Sequence, residues 1–247
     1  VYVKRPPRRP NFYDIYTYDL VTDTERRVSR QMRASDPAFS PGDSLIVFVR
    51  NEAGNNAIGL INVDGTRLRF LSSTHDGTQF YRPSFSPDGS RIVFGLFRQN
   101  TDRDIALIDA NSETYRYHWD IADTSSAFSD STSFAQNSGF ELILGTSKDE
   151  RDPMFLPDGS GILYSSDRNG VFNIYRYDFT SQRHTRLTDL YGGGFSPSVS
   201  SDGSVYYAGY SSRNFSIYRT SLDKELETER LVSADRDYTL QPKPFRI

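Results

Sequence analysis

The chain has 247 residues, a formal net charge of −3 at pH 7 and no cysteine. This length suits one domain, or two small ones, with a sizeable core. The near-neutral charge argues against nucleic acid as a partner, and the lack of cysteine excludes disulfides and thiol chemistry. No apolar run approaches the roughly 20 residues that a membrane helix needs.

The N-terminal residues VYV predict a strand, and no signal peptide is recognised before them. We therefore expect either a mature product or a piece of a longer protein. A proline- and arginine-rich segment, KRPPRRPN at 4–11, follows. It is either a long, stiff loop or a polyproline ligand for an aromatic groove.

A four-part unit then recurs along the chain. Its first part places Pro two residues before an apolar residue, as in Pro83 and Phe85. A turn such as Ser86-Pro87-Asp88-Gly89 follows, in which Pro presets φ and Gly accepts the left-handed conformation. The third part is an apolar run, and the fourth is a segment such as DIALID from Asp104. The prolines of the four clear copies are Pro37, Pro83, Pro153 and Pro197.

The unit predicts four short strands joined by tight turns, and its proline recurs at intervals of about 44 to 46 residues with one longer gap. Apolar runs such as RIVFGLF suit strands that are covered on both faces by neighbouring sheets. Four strands at this period are typical of a β-propeller. A β-sandwich is the alternative, but it does not explain the regular turn chemistry.

The predicted third strand occurs five times, anchored at Ile15, Ile58, Ile105, Ile174 and Ile217. The chain thus begins at the second strand of a blade, and YTLQPKPF near its end offers a weak first strand. We expect five blades, closed where the segment around Tyr238–Pro242 pairs with Val1–Val3. The alternative is an arc of a six-bladed or larger ring.

An insertion interrupts the third unit at about 112–148, within a single domain spanning 1–247. It holds the only Trp, Trp119, with Tyr115 and Tyr117 nearby. A long loop of this kind is usually functional or disordered, and aromatic side chains make good interface anchors. The insertion is expected either to grip a partner or to pack on the rim of its own propeller.

The repeat FSPDGSRIVF followed by DIALID resembles the WD-like propeller repeat of the TolB family of bacterial envelope proteins. The segment SSDRNGVFNIYRYD resembles the same family's second-to-third strand region. The resemblance implies a β-propeller in a periplasmic or cell-surface setting of a bacterium. The same repeat also occurs in propellers attached to peptidases, lyases and outer-membrane proteins.

Basic residues beside amides recur in the loops between the second and third strands, at Arg50, Arg98, Arg168 and Arg213. These loops share one propeller face with the connections from each fourth strand to the next first strand. Guanidinium groups match carboxylates with paired hydrogen bonds, so one interpretation is a docking surface for an acidic segment. The other is that each Arg lies in a solvated turn and pairs locally.

Four positions at the starts of first strands are candidates for the mouth of the central channel: Asp36, Arg82, Asp152 and Gln241. Paired carboxylates there would be able to hold Ca²⁺ or act on a sugar, but Arg82, Ser196 and Gln241 break the pattern. No nucleophile elbow or phosphate loop is present, and His75, His118 and His184 lack metal-ligand spacing.

We therefore predict a non-catalytic protein-binding propeller of the bacterial envelope that needs no cofactor or metal. Its partner is another protein, bound on the face expected to carry the insertion and the basic loops. The alternative function is the propeller part of an enzyme or of a carbohydrate-binding protein.

Overall fold

The structure is a computed structural model that describes residues 1–6, 12–52, 54–73, 77–98, 102–112, 139–211 and 213–230. In these ranges the chain forms strands, turns and bends without a helix. The strands are β1 (Tyr2–Lys4), β2 (Asp14–Asp19), β3 (Thr24–Arg27), β4 (Ala34–Phe39), β5 (Leu45–Asn51), β6 (Asn56–Asn62), β7 (Arg69–Ser73), β8 (Gln79–Phe85), β9 (Arg91–Phe97), β10 (Arg103–Asp109), β11 (Phe140–Leu144), β12 (Glu150–Phe155), β13 (Gly161–Ser166), β14 (Asn173–Asp178), β15 (Arg183–Arg186), β16 (Gly194–Val199), β17 (Ser204–Ser211), β18 (Asn214–Ser221) and β19 (Glu227–Arg230).

These strands form five antiparallel sheets, arranged as a five-bladed β-propeller as the repeat predicts. In ring order the sheets are β1–β3, β4–β7, β8–β11, β12–β15 and β16–β18, and we call them the first to the fifth sheet. The strand β19 adds to the outer edge of the fourth sheet by pairing with β15. The segment around Tyr238–Pro242 lies outside the described residues, so its pairing with Val1–Val3 stays a prediction.

Neighbouring sheets pack face to face through clusters of apolar side chains. Val47, Ile58 and Leu60 of the second sheet meet Phe80 and Phe94 of the third, for example. Three further clusters lie between the first and second, the third and fourth, and the fourth and fifth sheets. The near-continuous apolar runs are explained by this arrangement, because a strand between two sheets buries both of its faces.

The turns between first and second strands follow the chemistry predicted from sequence. Gly89 has φ 74° and Gly159 has φ 73°, in the left-handed region that glycine adopts readily. In the copy that reads Pro41-Gly42-Asp43, it is Asp43 that has positive φ, at 51°. Asp tolerates this conformation better than most residues with a side chain, so the swapped order preserves the turn.

A buried Asp or Asn near the start of a third strand binds the chain that leads into the next sheet. Asp14 Oδ1 accepts a hydrogen bond from Met32 N at 2.9 Å, and Asn173 Oδ1 accepts one from Leu190 N at 3.0 Å. Asn56 makes two such bonds to Phe80, accepting from its N–H at 2.7 Å and donating to its carbonyl at 2.9 Å. These bonds lock the first, second and fourth sheets to the sheets that follow them in the chain.

The two faces of the ring are distinct. The loop face carries the connections from second to third strands and from fourth strands to the next first strands. The turn face carries the first-to-second turns and the third-to-fourth connections. The expected insertion lies between β10 and β11, which are third and fourth strands, and Ala110 N donates to Ser90 O of a first-to-second turn at 2.8 Å.

The insertion therefore leaves the ring on the turn face, opposite the basic loops. The expectation that both lie on one face is wrong, because the insertion joins a third strand to the fourth strand of the same sheet and does not lead to the next sheet. That strand, β11, also falls inside the predicted range 112–148, and Phe140 packs edge-on against Phe80 and Phe94. Trp119, Tyr115 and Tyr117 lie outside the described residues.

Replacing Asn56 by Ala is expected to destabilise the fold by about 1–3 kcal/mol, since two buried backbone groups of Phe80 lose their partner. Asn56 is 3% exposed. The matched control is Asn214→Ala at the exposed start of β18, where the change is expected within about 0.5 kcal/mol. Urea denaturation measures both, and equal losses would contradict the role given to Asn56.

Candidate functional site

The channel-mouth residues stand on a backbone irregularity that recurs in every described copy of the repeat. Asp36, Arg82, Asp152 and Ser196 have φ of 49°, 49°, 52° and 51°. Each precedes a proline, and the pairing of first and second strands shifts register at this point. A β-bulge of this kind re-aims a side chain. Proline has no N–H to donate to a neighbouring strand, and a bulge is one of the few places in a sheet where that lack is tolerated.

The bulges bring these four side chains together. Arg82 Nη2 donates to Ser196 Oγ at 2.8 Å, and Arg82 Nε lies 3.5 Å from Asp152 Oδ1. Asp152 Oδ2 accepts from Ser196 N at 2.9 Å, and Asp36 Oδ2 accepts from Arg82 N at 3.4 Å. Because the third and fifth sheets are not neighbours, the Arg82 side chain reaches across the centre of the ring.

The resulting cluster joins three of the predicted channel-mouth residues to Ser196, while Gln241 lies outside the described residues. The carboxylate of Asp152 is 18% exposed and the side chain of Arg82 is 52% exposed. The cluster therefore presents a half-exposed guanidinium whose nearest carboxylate already has hydrogen-bond donors. Such a centre is suited to recognising an anionic group more than to general acid or base chemistry.

A groove of about 560 Å³ lies on the loop face between the first and second sheets. The Arg33 guanidinium carbon lies 4.8 Å from the centre of the Phe12 ring, and Asn51 Nδ2 donates to Arg33 O and to Ser35 Oγ, each at 3.0 Å. Sequence reasoning missed Phe12 and Arg33, although it singled out the neighbouring Arg50-Asn51 pair. The lining residues are Phe12, Tyr13, Arg33, Ala34, Ser35 and Asn51.

The basic loop residues share a contact that the sequence did not reveal. The guanidinium carbons of Arg50, Arg98 and Arg168 lie 5.2, 5.7 and 5.2 Å from the ring centres of Phe70, Phe140 and Tyr175, respectively. Each ring belongs to the same sheet as its arginine, so these residues brace their own blades through cation–π contacts. Arg213, by contrast, is exposed and has φ 73°.

Arg168 is deeply buried: its side chain is 8% exposed, and its Nη2 lies 3.5 Å from Glu150 Oε1. Glu150 is fully buried and also accepts a hydrogen bond from Thr146 Oγ1 at 2.5 Å. Burial raises the pKa of Glu150 to about 8, against the opposing influences of Thr146 and Arg168. Arg168 thus serves a buried polar cluster and is not presented to a partner.

A buried histidine lies in the same sheet. His184 is 1% exposed, and its Nδ1 lies 2.5 Å from the Tyr164 hydroxyl oxygen. Burial, with a smaller contribution from the charge of Arg168, lowers the pKa of His184 to about 3. The His184 side chain is therefore neutral at physiological pH. It acts as a core residue and not as a pH-sensitive group on the surface.

In the part of the chain that the structure describes, no group of three or more His, Asp and Glu side chains is arranged to hold an ion. The same ranges contain no helix that is long and apolar enough to cross a bilayer.

No family model matches the chain. A curated relative, an uncharacterized protein of Agrobacterium fabrum, is 34% identical over 87 residues, which cover 35% of this chain and 29% of the relative. That match spans too little of either protein to assign a family.

Solved structures resemble nearly the whole chain and identify its class of fold, a TolB-like β-propeller. TolB from Acinetobacter baumannii matches with a TM-score of 0.67 at 22% identity, covering 91% of this chain and 50% of that one. A protein described as TolB from Agrobacterium tumefaciens matches with a TM-score of 0.66 at 20% identity, covering 87% of this chain and 72% of that one. The predicted resemblance is confirmed at the level of the fold.

Enzyme-associated propellers are also similar. An oligogalacturonate lyase in complex with manganese matches with a TM-score of 0.57 at 16% identity, over 85% of this chain and 54% of the lyase. At these identities the likeness shows the fold alone. The chain spans half the length of the A. baumannii TolB and a smaller part of the curated relative.

Glu150→Gln is expected to change how stability depends on pH. Between pH 4.5, the ordinary pKa, and about 8 the unfolded chain ionises Glu150 while the folded chain keeps it neutral. The contribution of Glu150 to stability therefore falls as pH rises through this window, by up to about 1.4 kcal/mol per pH unit. The Gln variant lacks this loss.

The measurement is urea denaturation of both proteins at pH 5 and pH 8. The titration of His184 is common to the two proteins and cancels in their difference. Relative to the natural protein, Glu150→Gln is expected to be more stable at pH 8 than at pH 5. If the free energies of unfolding of the two proteins change in parallel with pH, Glu150 is ionised in the folded protein.

Arg168→Ala and Arg213→Ala are expected to lower the stability of the fold by different amounts. The first removes a buried partner of Glu150 and the contact with Tyr175, and should cost about 1–3 kcal/mol of folding free energy. The second changes an exposed side chain and should cost less than about 0.5 kcal/mol. Thermal melting compares the two variants, and an unchanged melting temperature for Arg168→Ala would contradict this assignment.

Proposed function

We propose that this propeller is a non-catalytic protein-binding module of the bacterial envelope, in a periplasmic or extracellular setting. The observation that carries the proposal is the half-exposed Arg82 guanidinium at the centre of the loop face, on the same face as the groove lined by Phe12, Tyr13 and Arg33. The resemblance of the repeat to TolB-like propellers supports the envelope setting.

The chemistry of this face indicates what it would bind. Arg82 and Arg33 offer donors to carboxylates, and Tyr13 is 40% exposed beside the groove. Aromatic and arginine side chains are the types that most often dominate binding energy at interfaces. We propose that the partner is an extended segment of another protein, with a carboxylate at the channel mouth and an apolar or aromatic side chain in the groove.

A catalytic role is the second candidate, because lyase and peptidase propellers are among the similar structures. The channel cluster favours binding over catalysis, since both oxygens of Asp152 have nearby donors in Arg82 and Ser196. Peptide or pectic-oligosaccharide turnover that is abolished by Asp152→Asn, with the fold intact, would favour the catalytic alternative.

Site-directed photocrosslinking tests the proposed face. The chain has no cysteine, so a single Cys carries a benzophenone maleimide at one defined position. Tyr13→Cys reports on the groove, and Thr180→Cys is an exposed control on the turn face. In an envelope extract of the producing organism, we expect a protein adduct from Tyr13→Cys only.

Adding Arg82→Ala to the Tyr13→Cys protein should reduce the adduct yield several-fold. Adducts that form mainly from Thr180→Cys, or a yield that does not respond to Arg82→Ala, would contradict the proposal.

A further inference from the structure

The groove between the first and second sheets is flanked by two arginine side chains that lie over aromatic rings. The Arg5 guanidinium carbon lies 4.7 Å from the centre of the Tyr13 ring, and that of Arg33 lies 4.8 Å from the centre of the Phe12 ring. Both arginines are exposed, and both rings line the groove. A guanidinium stacked on a ring leaves the N–H donors at its edge available to a carboxylate.

The backbone at Arg33 is held in place on both sides. Ala34 N donates to Tyr13 O at 2.9 Å. Arg33 O accepts hydrogen bonds from Asn51 N at 3.1 Å and from Asn51 Nδ2 at 3.0 Å. These hydrogen bonds fix the point on the rim of the groove from which the Arg33 side chain extends.

Arg33 also adopts a backbone conformation that residues with a side chain normally avoid. Its φ is 50°, in the left-handed region, which is costly for a residue other than glycine. The equivalent residue of the fifth sheet, three positions before the bulge residue Ser196, is Gly193 with φ 111°. Its carbonyl likewise accepts from the end of a second strand, at Tyr210 N. An arginine where glycine fits without this strain indicates that the side chain itself is needed.

Neither Arg5 nor Arg33 has a carboxylate partner in the described part of the chain, where the salt bridges join other residues. In two other loops of the same face the arginine is paired, Arg50 with Glu52 and Arg168 with Glu150. The sequence that joins β1 to β2, residues 5–13, contains three arginines and no acidic residue. The groove therefore carries positive charge that no described acidic residue neutralises.

We propose that this groove recognises an acidic segment of a partner protein. Carboxylates of the segment pair with Arg5 and Arg33, since a planar guanidinium donates paired hydrogen bonds to a carboxylate. An apolar side chain beside them packs on the Phe12 and Tyr13 rings. The inference rests on the proposed protein-binding function and adds to it the charge of the partner.

The groove is continuous with the channel cluster. Asp36 follows Arg33 by three positions in the chain, a span of at most roughly 10 Å. Asp36 Oδ2 in turn accepts from Arg82 N at 3.4 Å. An extended peptide advances roughly 3.3 Å per residue, so roughly three to four residues of a partner reach from the groove to the channel cluster. We therefore expect acidic residues about three positions apart in the partner segment.

Synthetic peptides of defined sequence test this recognition. The probes are short fluorescein-labelled peptides that contain one phenylalanine and two glutamates at that spacing, and matched peptides with glutamine in place of glutamate. Fluorescence anisotropy with the natural protein should show that the acidic peptides bind roughly three- to tenfold more tightly. The difference should shrink at high salt, because exposed charges are screened.

Charge-neutralising variants locate the site. Arg33→Gln should weaken the binding of acidic peptides roughly two- to fivefold, and adding Arg5→Gln should abolish the preference for them. Glutamine suits this place because Gln31, in the same loop, has φ 58°. Arg30→Gln is the matched control, since Arg30 is exposed in that loop and contacts none of the described rings. It removes the same charge and should keep the affinity within about 1.5-fold, and thermal melting checks that each variant folds.

Equal binding of acidic and glutamine peptides, or equal losses with Arg30→Gln and Arg33→Gln, would overturn the proposal. Tighter binding to phosphatidylglycerol vesicles than to acidic peptides, lost in Arg33→Gln, would assign the groove to an anionic lipid surface instead. Crosslinking from Tyr13→Cys tests the protein-binding function separately. An adduct whose yield does not change with Arg5→Gln and Arg33→Gln would leave that function standing and show that the partner segment is not recognised by its acidic residues.

Discussion

The structure depends on the face-to-face packing of neighbouring sheets. A sheet of four short strands that is apolar on both faces has no stable existence alone, since each buried side chain such as Ile58 or Ile105 needs a neighbour to exclude water. Full burial of one such side chain is worth about 1.5–3 kcal/mol. Repetition of the sheet around an axis provides these neighbours, and the loops are left free to carry recognition.

The channel cluster is a consequence of the same repetition. A residue with positive φ costs of order 1–3 kcal/mol, yet four equivalent first strands adopt it before their prolines. The packed sheets on either side offset that strain and hold each bulge in place. One backbone device therefore sends four side chains toward the axis, and their differing chemistry makes an asymmetric cluster centred on Arg82.

The basic loops show how residues of one type, at equivalent positions, acquire different roles. Arg168 is buried against Glu150 and Tyr175, and Arg50 and Arg98 lie over aromatic rings of their own sheets. Arg213 is exposed just before β18 of the fifth sheet. A loop arginine thus stabilises its blade where an aromatic ring or a buried carboxyl group is within reach.

The sequence by itself determined the architecture, because proline spacing, turn chemistry and apolar runs are local properties that repeat with the fold. It also indicated that Asp36, Arg82 and Asp152 occupy equivalent places. Only the tertiary structure decided which residues meet: that Arg82 reaches Ser196 across the ring, that Arg168 is buried, that the insertion leaves on the turn face and that Ile217 is 83% exposed. These outcomes depend on strand order and on contacts between sheets distant in sequence, which no local pattern encodes.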